Sequence, residues 1–146
     1  MKIEVTIKVS AIVVFLIALF NVSAVYAESN QITSTIEAGS KTFYRFCSIC
    51  HGPNAKGNGM FSDHLISTPP DLTNLSKENN NVFPWMKLYS SIDGSNINPQ
   101  HGTPEMPIWG NQFDLKTWGH AESDFSDVIV RGRIFEILVY LQSIQE

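Results

Sequence analysis

Cys47-Ser48-Ile49-Cys50-His51 is the stretch on which the reading of this chain turns. Two thiols stand three residues apart, and an imidazole follows the second at once. Ahead of them Ile36, Gly39, Phe43 and Phe46 recur at steps of three and four, the spacing of one helix face. Ser34-Thr35-Ile36-Glu37 has the form of a capping box and predicts the start of that helix. Gly52-Pro53 predicts its end, because glycine admits the turn and proline cannot continue the helix.

A CxxC pair has three established uses besides a plain disulfide. A dithiol redox site normally follows a strand in a βαβ setting, and no strand-like alternation precedes Cys47. A structural zinc needs four ligands, so His64, His101 or His120 would have to complete the set, and none stands at ligand-like spacing. The histidine immediately after the second cysteine fits the remaining use, covalent attachment of one haem c. Two thiols on one helical turn can bond to one edge of a porphyrin, and the next imidazole then reaches the iron. Cys47 and Cys50 are therefore the expected covalent haem ligands and His51 the expected axial iron ligand.

The iron's other side calls for a second ligand. Gly102-Thr103-Pro104-Glu105-Met106-Pro107-Ile108-Trp109 offers Met106 between two prolines, in a backbone stiff enough to hold a weakly binding thioether. Met60 lies nine residues past His51, Met86 falls inside a predicted helix, and His101 is a rival of a different chemistry. Met106 is the expected ligand. Methionine with histidine raises the reduction potential relative to harder ligands.

These motifs together resemble the class I c-type cytochromes, the mono-haem type of bacterial respiratory chains, over roughly residues 36–145. Gly39 and Phe43 occupy first-helix positions eight and four residues before Cys47, and Ile137 with Tyr140 occupy final-helix positions expected to pack on them. Gly52, Gly57, Gly59, the run Thr68 to Thr73, and Ile92-Asp93-Gly94 ahead of Met106-Pro107 are similar too. The resemblance implies an all-α cytochrome c fold wrapped around one haem, iron cycling between ferrous and ferric states, and a backbone carbonyl near Pro69 or Pro70 serving the ring of His51. Trp109 is a candidate for packing on the porphyrin, with Trp85 and Trp118 behind it, and simple core packing is the alternative. Arg131 and Arg133 are candidate propionate partners or residues of a solvated helix face. Phe113 to Asp127 departs from the pattern as a longer link to the last helix.

Outward from the motif, residues 52–83 predict loop with one short helix around Met60 to Leu65, and residues 95–110 predict loop again. A helix over Pro84 to Ile92 has proline in its first turn and Gly94 past its end. A final helix over Val128 to Ile144 aligns Val130, Ile134, Ile137, Leu138, Leu141 and Ile144 on one face, with Gly132 its weak point.

At the other end, Lys2 and Lys8 precede the apolar run Ala11 to Phe20 and the small-residue tail Val25-Tyr26-Ala27, the grammar of a secretory signal peptide. Residues 1–27 are thus expected to be a signal peptide, 28–35 a polar leader and 36–146 the haem domain. The expected location is the periplasm, with membrane attachment only if the first segment stays uncleaved. Without that segment 8 basic residues face 13 acidic ones, a net charge of −5. Such a surface disfavours nucleic acid, and the expected partners are redox proteins of an electron-transfer chain. An electron carrier rather than an enzyme is expected. A haem subunit of a larger oxidoreductase, or a sensor or peroxidase-like protein with an open iron, is the alternative.

Overall fold

The structure, a computed structural model, describes residues 30–95, 107–114 and 126–146. The expected signal segment, Met106, His101, Trp118 and His120 lie outside the described residues. The chain divides into two compact units, Met1–Ser34 and Thr35–Glu146, and the second contains the cysteine motif and the core.

The described residues are helical and contain no strand. Helix α1 covers residues 30–46. A one-residue turn at Cys47 separates it from α2, Ser48–His51. Single 3₁₀ turns at Ser62–His64 and Lys77–Asn79 punctuate the connection to α3, Trp85–Asp93. Helix α4 spans Trp109–Phe113 and α5 spans Ser126–Ser143. Among the described residues no helix is long and apolar enough to cross a membrane.

Helix α5 forms the centre. Val130, Ile134, Ile137, Leu138 and Leu141 are buried along one stripe, as the three-and-four spacing predicts, and Ile144 is half-buried at its end. Each such side chain contributes about 2 kcal/mol by leaving water. α3 and α4 pack on this stripe and on each other. Gly132, the expected weak point, faces open space and costs the packing nothing.

Helix α1 meets α5 where Gly39 lies against the Glu136 carbonyl and the Tyr140 side chain. A Cβ at position 39 would overlap that carbonyl, so glycine sets the closeness of the two backbones. One turn on, the rings of Phe43 and Tyr140 stand 5.3 Å apart, and Phe43 joins Ile137 in the core.

The capping box does not start α1, which is already helical at residue 30. The Ser34 hydroxyl instead donates to the Gln31 carbonyl at 2.8 Å, and Glu37 pairs with Lys41 at 2.7 Å. Both motif side chains have other work. α3 begins one residue later than expected, with Pro84 as its N-cap and Gly94 closing it at φ 82°. The expected helix near Met60 to Leu65 is only the 3₁₀ turn. α4 begins inside the stretch predicted as loop and runs three residues past it: five residues are too few to display a period. It holds because Gly110 lets its first turn sit against the Asp93 carbonyl and because Phe113 is buried.

Candidate functional site

Cys47, Cys50 and His51 share one helical turn. The Cys47 carbonyl accepts from the Cys50 N–H at 3.1 Å and from the His51 N–H at 2.9 Å. Offsets of three and four residues put all three side chains on the same face. Gly52 stops the turn at φ 81°, a backbone open to glycine, and its N–H caps the Ser48 carbonyl at 2.9 Å.

The loop after Gly52 folds back and is stitched to this turn. Gly57 N–H donates to the His51 carbonyl at 2.8 Å, Gly59 N–H to the Cys50 carbonyl at 3.1 Å, and Phe61 N–H to the Ile49 carbonyl at 2.8 Å. The last carbonyls of a helix need partners, and here the returning loop supplies them. Any side chain at Gly59 would strike the backbone of Ile49 and Cys50. At Gly57 it would strike the Pro69 carbonyl, so the proline pair reaches the histidine through this glycine. Ala55 takes the left-handed conformation at φ 59° and is wholly buried, a local strain the loop accepts to close.

The two cysteines are not joined by a disulfide. Burial, and then the neighbouring Cys50 charge, push the Cys47 thiol up to about 12, and burial raises the Cys50 thiol as well. Both are held as neutral thiols. Cys47 packs against the apolar core, together with Phe46 and Trp109. His51 is 8% exposed and its Nδ1 is sealed from solvent.

Trp109 stands beside this turn rather than far from it. Its ring lies 5.7 Å from that of Phe46, the residue before Cys47, and 5.5 Å from that of Phe113, which in turn is 5.5 Å from Phe46. The sequence marked Phe46 only by its period and gave Phe113 no role; the three rings form one wall. Arg133 joins it, its guanidinium 5.9 Å above the Phe113 ring. Arg131, two residues away on α5 and so turned to another side, lines a cavity of about 540 Å³ with Tyr89, Asp93, Asp114 and Asp127. Trp85 stacks on Phe135 at 5.8 Å, in a different cluster.

His64, the described candidate for a fourth zinc ligand, is exposed and stacks on Phe61 at 5.1 Å. Among the described residues no group of three or more His, Cys, Asp or Glu side chains is placed to hold a metal. Two neutral thiols free of any disulfide, beside a single sealed imidazole and against an aromatic wall, fit a haem bonded at one edge. Ile108, two residues after Met106 in the sequence, rests on Gly94 at the end of α3.

No protein-family model, no characterised protein and no solved structure matches the chain.

Proposed function

We propose that this chain is an exported mono-haem c-type cytochrome with the class I cytochrome c fold, carrying one electron at a time between redox partner proteins. The observation that carries the reading is the single turn presenting Cys47, Cys50 and His51 on one face, closed behind by Gly57 and Gly59. Haem c, when bound, supplies an iron that cycles between ferrous and ferric states.

The chain's own residues do the rest. Cys47 and Cys50 would hold the group by two thioethers, so that it could not dissociate. His51 would bind the iron, and its burial would keep water from competing with it. Met106, which stands between Pro104 and Pro107 in the sequence, would be the second protein ligand of that iron. With His51 and Met106 both bound to it, the iron would offer no open site to a substrate, which suits a carrier. Phe46, Trp109 and Phe113 exclude water on the Cys47 side, and Arg133 is the better placed of the two arginines to meet a propionate. The acidic surface turns such a carrier toward protein partners of the periplasm, away from nucleic acid.

The deciding experiment is the mass of the denatured, processed protein from a host that secretes and attaches haem. One haem of added mass, retained through denaturation, is the expected result. A mass equal to the bare polypeptide overturns the reading. Cys47→Ala with Cys50→Ala is expected to leave little folded holoprotein. Carbon monoxide separates the carrier from a sensor, a peroxidase or another open-iron protein: a filled sixth position resists it in the reduced state, whereas an open iron binds at once.

A further inference from the structure

Beyond the end of α5, two residues are bonded to a loop about seventy positions earlier in the chain. The Gln145 side chain donates through Nε2 to the carbonyls of Leu72 and Leu141, both at 2.8 Å, and accepts through Oε1 from the Ser76 N–H at 2.8 Å. Glu146 donates its N–H to the Thr73 carbonyl at 2.9 Å and pairs its carboxylate with Lys56 at 2.5 Å. A primary amide combines two donors with an acceptor, so it can serve all three backbone partners at once.

The clamped loop is the one that braces the cysteine turn. Asp71 stiffens it from within, accepting from the Thr73 N–H at 2.8 Å, the Thr73 hydroxyl at 2.6 Å and the Asn74 amide at 3.0 Å. Leu72 N–H donates to the Ala55 carbonyl at 2.8 Å, and the Pro69 carbonyl abuts Gly57. Gly57 N–H in turn holds the carbonyl of His51 at 2.8 Å. A continuous run of hydrogen bonds and one close backbone contact therefore leads from Gln145 to the histidine.

We propose that Gln145 is a positioning residue for His51, clamping the loop of residues 69–76 to the end of α5 so that this loop fixes Gly57 against the histidine's backbone. The role rests on the haem reading above, since it gives His51 a metal to be positioned against. Loosening the clamp frees the loop and admits water beside His51, which favours the more highly charged ferric state and lowers the reduction potential.

The test uses holoprotein carrying Gln145→Ala and, separately, Gln145→Glu, which keeps the shape but turns a carboxylate toward two carbonyls. Mass after denaturation is read first, then amide exchange at Gly57 and in the core of α5, then the potential. Both variants are expected to retain haem, to exchange the Gly57 N–H about tenfold faster with the α5 core amides unchanged, and to show a lower potential. Retained haem with parental Gly57 exchange and parental potential overturns the positioning role alone. A parent that carries no haem overturns the functional reading and this role with it. If the alanine variant does not fold, Gln145→Asn, which keeps the amide but draws it back by one methylene, is read by the same two measurements.

Discussion

Gly39→Ala and Gly132→Ala are the same substitution inside two helices of one protein, and the structure assigns them opposite signs. Replacing an interior helical glycine by alanine gains roughly 1 kcal/mol where nothing else changes. At Gly132 the added methyl meets no atom within 4 Å, so that gain stands alone. At Gly39 the methyl would lie inside contact distance of the Glu136 carbonyl and 3.0 Å from the Tyr140 Cβ. The first obstacle is backbone, which no rotamer change can clear, so α1 must move off α5. That movement loosens Phe43, whose ring faces Tyr140 at 5.3 Å and which is 1% exposed. Overpacking of this kind costs about 1–3 kcal/mol, occasionally more, and exceeds the helix gain when the clash is with backbone. Urea unfolding of the two variants beside the parent, with m held constant, measures both. The expected midpoint falls for Gly39→Ala and rises for Gly132→Ala. A Gly39→Ala protein as stable as the parent would refute the close crossing of the first and last helices.

Met106→Ala is expected to abolish the weak far-red band of sulfur-to-iron ligation in the oxidised protein and to lower the reduction potential. Retention of both features assigns the position to another methionine, Met60 or Met86. Asp71 is held below the usual carboxylate range, mainly by the Thr73 hydroxyl and the Thr73 N–H. A lowered value means the folded state binds its proton more weakly than the unfolded chain. Its contribution is therefore complete above about pH 4 and is lost as the pH falls below that through the folded value. Asp71→Asn should flatten the acid limb of the stability curve below about pH 4 while lowering stability at neutral pH, and an unchanged acid limb counts against this loop role. Phe113→Ala, at a position 1% exposed in contact with Phe46 and Trp109, should cost about 3–5 kcal/mol by chemical unfolding. A loss under about 1 kcal/mol would mean the three rings do not form a packed wall.

What the sequence determined by itself is what local geometry governs. Cys47, Cys50 and His51 fall on one face because offsets of three and four always do so on a helical turn. Gly52 and Gly94 end their helices because each adopts a positive φ, and α5 is legible because its apolar residues repeat for four turns. Tertiary structure decided everything that depends on residues distant in the chain. Short-range signals also misled at Ser34 and Glu37, since α1 is already helical at residue 30 and Gln31 and Lys41 of the same helix take their side chains. α4 is too short to show a period and exists because Asp93 and the core receive it. Gln145 has no motif at all: an amide acquires a role only when folding brings Leu72 and Ser76, 73 and 69 positions away, within hydrogen-bonding reach. Short-range spacing is written into the order of residues, whereas a contact across the chain exists only after the entropy of closing that distance has been overcome by the core that α5 organises.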